Sequence, residues 1–204
     1  MSWAVTAHQV LENDHVRLQP ISEHDREPVH TIAMDAEIWR YFVTLVETRA
    51  DFDGFFDACL DDDQAGRRVV YVITDKATGR VAGSMSFGNL AESDARLEIG
   101  WSWLGREFRG AGRNRWAKFL LLEHAFEELG ARRVEFKTDV LNVRARSALR
   151  NIGAVEEGTL RSFNIMPGGR RRDAVYYSIL AAEWPRVREA LSTRPQVESA
   201  VPPA

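Results

Sequence analysis

The stretch Glu107-Phe108-Arg109-Gly110-Ala111-Gly112-Arg113-Asn114-Arg115-Trp116 sets two glycines two residues apart among three arginines, where a helical pattern begins. A helix start presents unsatisfied amides and the positive end of the helix dipole, so it holds anions readily. Glycines let the backbone approach a phosphate closely, and guanidinium groups supplement the charge. A pyrophosphate is the natural guest. The alternative is a tight strand-to-helix connection whose arginines are only solvated. Two better-known phosphate signatures do not apply. The third glycine and the ribose-binding acid of a dinucleotide fingerprint are missing, and no G-x-x-x-x-G-K-[ST] occurs. The histidines (His8, His15, His24, His30 and His124) form no pair at ligand spacing, so no metal is expected. Cys59 is the single cysteine and lies on an apolar helical face. It reads as a buried inert thiol in a chain suited to a reducing compartment.

The elements around that turn alternate in type. Residues 15–22 read as a strand ended by Pro20, with Ser22 as N-cap of a helix whose apolar positions are Val29, Ile32, Ala33 and Ala36. A second helix over 49–61 carries Phe52, Phe55, Phe56, Cys59 and Leu60 as its buried stripe. Residues 67–74 and 81–88 are strands of a hairpin turned at Gly79, and 95–104 is a further strand. A helix from about Asn114 to Leu129 is stopped by Gly130, which suits a left-handed cap. Residues 131–140 form a strand parallel to 97–104, because a helix separates the two. A short helix at 143–151, strands near 154–165 and 172–181, and a last helix opening at Pro185 complete the order. The prediction is one α/β domain over residues 1–191. Its mixed central sheet runs as an antiparallel meander, then a βαβ parallel pair that splays beside the glycine turn. Residues 192–204 are expected to be a disordered tail.

Composition narrows the function class. Of 204 residues, 45% are hydrophobic and 28% charged, with a formal net charge of −3. That balance argues against a nucleic-acid partner, and no apolar run reaches the length of a membrane span. The N-terminal stretch lacks a signal-peptide pattern, so a cytoplasmic protein is expected.

The segment 107–161 resembles the cofactor-binding core of the GNAT superfamily of N-acetyltransferases, in particular the branch of the ribosomal-protein N-terminal acetyltransferases. The resemblance rests on Phe108, Gly110, Gly112, Phe126, Glu128, Leu129, Gly130, Arg133, Val134, Asn142, Gly153, Ala154 and the "EGTLR" run at 157–161. It extends over residues 12–191, with "LEIGW" and "DAVYYSILAAEW" matching flanking strands. It implies a GNAT fold with the parallel pair splayed around an acetyl-CoA site. The amides of Arg109, Gly110, Ala111, Gly112, Arg113 and Asn114 would then cradle the pyrophosphate. The backbone of Gly100, Trp101 and Ser102 would pair with the pantetheine arm, and Asn142 would bond the pantetheine or orient the thioester.

The implied reaction is direct attack of a primary amine, from a protein N-terminus or a small molecule, on the thioester of acetyl-CoA. A mostly protonated amine needs a proton acceptor, and Glu98 is the candidate because its strand approaches the slot. A backbone amide near Trp101 or Ser102 could polarise the carbonyl. The family's usual acids are replaced: Leu149 stands where many members have tyrosine and Ala145 where the branch often has serine. Tyr176 or Tyr177 could substitute. Trp39, Tyr41, Phe42, Phe87 and Trp103 are candidates for lining the acceptor side. The missing acids leave a catalytically silent acyl-CoA-binding or sensor module as the alternative. Succinyl transfer is another, with Arg170–Arg172 for the extra carboxylate. The chain is expected to be a monomer or a homodimer.

Overall fold

The structure, a computed structural model, describes residues 2–193. Its elements run α1 (Trp3–Ala7), β1 (Leu11–Glu12), β2 (Val16–Pro20), α2 (Arg26–Ala33), α3 (Ala36–Trp39), α4 (Arg49–Gln64), β3 (Arg68–Asp75) and β4 (Arg80–Ala91). There follow β5 (Arg96–Leu104), α5 (Arg113–Glu123), β6 (Arg133–Asp139), α6 (Val143–Asn151), β7 (Val155–Ile165), β8 (Arg171–Leu180) and α7 (Trp184–Thr193). One eight-stranded sheet results, in the order β1-β2-β3-β4-β5-β6-β8-β7. All neighbours are antiparallel except β5 and β6, which pair in parallel as the intervening helix requires.

Alternation along the strands divides the apolar residues between two layers. Val69, Tyr71, Ile73, Met85, Phe87, Leu97, Ile99, Val134 and Phe136 face α5 and α7. Val70, Val72 and Trp103 face α2, α3 and α4, which bury Val29, Trp39, Phe52 and Phe56 against them. On that second face the helices cover β3 and the end of β5. The part of the sheet from Glu98 across β6 and β8 is left to polar side chains.

Several expectations shift in detail. The predicted first helix is two. It stops at Ala33, and Asp35 caps the next by accepting from the Glu37 amide at 3.1 Å, so Ala36 opens a separate turn. Ser22 is an N-cap as expected, but of a 3-10 turn (Glu23–Asp25) that leads into α2. It forms a capping box with Asp25, whose carboxylate accepts from the Ser22 amide at 2.9 Å and its hydroxyl at 2.8 Å. Helix α5 loosens into a π-turn over His124–Glu128, where the Leu129 amide donates to the carbonyl of His124, five residues back. Gly130 ends it at φ +69°, as its lack of a Cβ permits. The last helix carries on through Ser192 and Thr193, two residues assigned from sequence to the tail; residues 194–204 lie outside the described residues.

Lys118 is the least expected core residue. It is 5% exposed on α5, and among the described residues its Nζ reaches only the neutral Asn114 Oδ1, at 2.6 Å. Burial pulls its pKa from 10.5 down to about 8. Between those values the unfolded chain holds a proton that the folded chain has released, so stability rises with pH over that window. Lys118→Met is expected to raise unfolding free energy at pH 7 by about 3 kcal/mol, since each tenfold loss of proton affinity on folding costs about 1.4 kcal/mol. The gain shrinks toward pH 10.5, and denaturant melts of both proteins at pH 7, 9 and 10.5 check it.

Candidate functional site

The glycine turn has the geometry of an anion cradle. Gly110 and Gly112 adopt φ +86° and +77°, a region costly for residues with a Cβ, and Gly112 caps α5 directly. The amides of Arg113 and Asn114 open the first turn of α5, where no intrahelical carbonyl serves them. The Arg109 amide is the exception among the six predicted. It donates to the Arg106 carbonyl at 3.3 Å, inside a 3-10 turn, and so is spent before the cradle begins.

The arginines of the turn divide by role. Arg113 does not point at the cradle mouth: its Nε donates to Asp75 Oδ1 and its Nη1 to the Ala111 carbonyl, each at 2.7 Å. Asp75 is 1% exposed. Burial alone would raise its pKa, but the Arg113 guanidinium and the Thr78 hydroxyl outweigh it and hold the carboxyl below its ordinary range. The Arg113–Asp75 pair therefore fixes the turn's shape from below. Arg109 is anchored at the Leu104 carbonyl (2.9 Å) and lies 3.5 Å from Asp35. Its pKa is lowered by burial and then by the Arg144 and Arg106 charges, with Asp35 opposing. An anion between Arg109 and Arg144 would relieve that repulsion, so the residues present fit a phosphate-bearing ligand.

A slot opens next to the turn. Strands β5 and β6 pair only at Arg96–Arg133, Leu97–Val134 and Glu98–Glu135. Beyond Glu98 the two diverge, leaving the backbone from Ile99 to Trp103 without a strand partner on its β6 side, up to the Leu104 carbonyl that Arg109 holds. A bulge assists: Trp101 and Ser102 together face one residue of β4, with Trp101 at φ +50°. The indole folds back across Gly88, where an added Cβ would fall 2.4 Å from the ring. Arg68 lies over that ring, 4.9 Å from its centroid.

Glu98 stands at the closed end of the slot, 4% exposed. Its Oε2 accepts from Asn89 Nδ2 at 2.6 Å and lies 3.4 Å from Lys137 Nζ. Its Oε1 lies over Gly100, whose missing side chain leaves it room: a Cβ there would fall 2.9 Å from that oxygen. Lys137 sits opposite Tyr176 in the β6–β8 register, with its ammonium 5.3 Å and 5.8 Å from the Phe163 and Tyr176 ring centroids. Burial, then the Glu98 and Glu135 charges, raises the Tyr176 pKa, so the phenol keeps its proton at neutral pH. Tyr177 points to the other face, donating to Glu156 Oε2 at 2.7 Å and accepting from Arg146 Nε at 3.3 Å.

The structure therefore brings Glu98, Gly100, Trp101 and Ser102 to one rim of the slot and the glycine turn to its mouth. Asn142 stands across from them at the start of α6, where its Oδ1 accepts from the Ala145 amide at 3.0 Å. That oxygen serves as a helix cap, so only the Nδ2 group is left to donate. The aromatic residues suggested for the acceptor side are mostly elsewhere. Trp39 and Trp103 are buried under α2–α4, and Phe87 is buried on the opposite face. Trp101, Phe163 and Tyr176 are the aromatic side chains near Glu98 and Lys137: Trp101 lies over Gly88, and Phe163 meets Tyr176 edge-on at 6.0 Å. Asn89, Lys137 and Phe163 were not anticipated. The period-2 spacing of Lys137 with Glu135 was the available signal for a shared face. Among the described residues no cluster of His, Cys, Asp and Glu could hold a metal ion, and no helix is long and apolar enough to cross a membrane.

Comparison with known proteins gives a consistent set. The sequence model of one family, described as an acetyltransferase (GNAT) domain, matches residues 15–155. A Bacillus subtilis (strain 168) protein, provisionally named ribosomal N-acetyltransferase YdaF, is 38% identical over 106 residues. That match covers 52% of this chain and 57% of YdaF, little more than half the length of that relative. A crystal structure provisionally assigned as an acetyltransferase superposes with TM-score 0.84 at 35% identity, covering 95% of this chain and 97% of its own. Another such protein, from T. thermophilus, superposes with TM-score 0.82 at 36% identity, covering 91% and 96%.

Proposed function

Because this chain belongs to the acetyltransferase (GNAT) family, we propose that it transfers the acetyl group of acetyl-CoA directly to a primary amine. The acceptor is a protein N-terminus, by likeness to YdaF, or a small amine. The observation that carries this reading is the open β5 edge beside a positive-φ glycine turn, with a buried carboxylate at the slot's closed end.

The amides of Gly110 to Asn114 would hold the pyrophosphate, with Arg109 and Arg144 adding charge. The unpaired backbone of Gly100, Trp101 and Ser102 would take the pantetheine as an added strand, and Asn142 Nδ2 would donate from the facing rim. Bound there, acetyl-CoA supplies an activated acyl carbonyl and a thiolate leaving group. Glu98 Oε1, the oxygen not engaged by Asn89 and Lys137, would accept the amine's proton. Tyr176, on the same face, holds a proton that its hydroxyl can give to the departing thiolate. This makes Tyr176 the substitute for the acids absent at Ala145 and Leu149. Trp101 and Phe163 would flank the acceptor. The single thiol, Cys59, is buried and pushed up in pKa first by that burial, which suits direct transfer with no covalent acyl-cysteine step.

The test is calorimetric titration with acetyl-CoA beside NADH, followed by thiol release with peptide and small amines. Saturable binding of acetyl-CoA alone, with amine-dependent release, is the expected result. Binding without release for any amine would favour a silent acyl-CoA module. No binding would end the transferase reading.

A further inference from the structure

Arg172 is the second residue of β8 and is 7% exposed, yet its Nε is buried with no hydrogen-bond partner among the described residues. Stripping a guanidinium of water without giving it a carboxylate is costly. The neighbouring acids do not supply one. Asp139 is engaged on both oxygens: Oδ1 accepts from the Leu141 amide at 2.9 Å, and Oδ2 pairs with Arg170. Glu98 has its Oε2 with Asn89 and Lys137 and its Oε1 over Gly100. The charges of both acids reach Arg172 without a direct ion pair to either.

Its position is informative. Along β8, Arg172, Ala174 and Tyr176 share one face. Ala174 lies opposite Asp139, and Tyr176 opposite Lys137. Since Glu98 pairs with Glu135 on that same face, Arg172 occupies the end of β8 that rises beside the β5–β6 slot. A sheltered planar fork with an unused donor matches a carboxylate in two-point fashion, and the shielding strengthens the pairing.

We propose that Arg172 is a receptor for a carboxylate carried by one of the two reacting molecules, formed where its guanidinium, with a buried and unpartnered Nε, stands on the Glu98–Lys137–Tyr176 face. The carboxylate comes from a dicarboxylic acyl group on the donor or from an acidic acceptor amine. The chemistry at Arg172 is the same for both. The inference rests on the proposed function only in taking this face as the acceptor side of the slot.

Three measurements test it, in the wild type, Arg172→Gln and Arg172→Lys. The first follows the Arg172 side-chain Nε–H resonance by NMR while sodium succinate is added, which needs neither acyl-CoA nor turnover. The second compares affinities for succinyl-CoA and butyryl-CoA by calorimetry. The third compares thiol release from acetyl-CoA with 4-aminobutyrate and with its uncharged amide as acceptors. A ratio within one variant cancels any general effect on folding. The expected result is a saturable shift of the Arg172 resonance. One of the two ratios should also favour the carboxylate in the wild type, fall about tenfold in Arg172→Gln and partly recover in Arg172→Lys. A change in the second ratio identifies the acyl group as the source, and a change in the third identifies the acceptor. An unmoved resonance with both ratios unaffected overturns the proposal even if acetyl-CoA binds normally. A saturable shift in a protein that fails to bind acetyl-CoA upholds the receptor and removes the transferase reading.

Discussion

Glu98→Gln is expected to lower amine-dependent thiol release about 100-fold or more, the scale of a lost general base. Affinity for acetyl-CoA should stay within a factor of two or three. Glutamine has the same shape, and its carbonyl can still accept from Asn89, so the slot keeps its form. What disappears is the charge beside Lys137 and the oxygen able to take a proton. Parallel calorimetry and steady-state kinetics separate the two effects. A variant that turns over like the wild type would assign the proton to water or another group and leave Glu98 as Lys137's structural partner.

Asp75→Ala is expected to cost about 3 kcal/mol of stability, because it leaves the largely sheltered Arg113 guanidinium without its carboxylate. For a domain of this size that lowers the melting temperature by about 10 °C. Acetyl-CoA affinity should fall as well, since Arg113 also ties down the Ala111 carbonyl inside the cradle. Thr78→Ala removes one hydroxyl donor from the same carboxylate and should cost only about 1 kcal/mol. The sign with pH follows from the lowered Asp75 pKa: its contribution is present above the ordinary carboxylate range, near pH 4, and fades as acid protonates it. Thermal melts of the wild type and Asp75→Ala should therefore differ most at pH 7, begin to draw together at pH 3.5, and come closest only at pH 2 or below, as the pH drops through the lowered folded value.

The strand periodicities and the glycine turn were legible in the sequence because each depends on local chemistry. The boundaries of α6 and of the β7–β8 hairpin follow from Asn142, Gly153 and the Pro167-Gly168-Gly169 turn. The parallel pair follows from the helix between its strands. What sequence could not supply was the order of neighbours across the sheet. Tyr176 and Tyr177 are equivalent on paper. Only the insertion of β8 between β6 and β7 sets one beside Lys137 and the other against Arg146 of α6. Arg172 likewise reads as one of three hairpin arginines until the β6–β8 register sets it on the Glu98 face. The positive φ of Trp101 was hidden because bulky residues seldom adopt it, and the break at Met34 was hidden because Ala36 kept the helical period.

The divergence of β5 from β6 has a mechanical consequence. Five strands on one side and three on the other are stitched by three residue pairs, so the hydrogen-bonded ladder carries a seam through its middle. A ligand lying along the unpaired edge lengthens that seam and acts as a removable staple between two half-sheets. Amide exchange at Gly100–Trp103 on one half and Lys137–Asp139 on the other should slow together when it binds. The place where this chain would do its chemistry is also where it comes apart most easily.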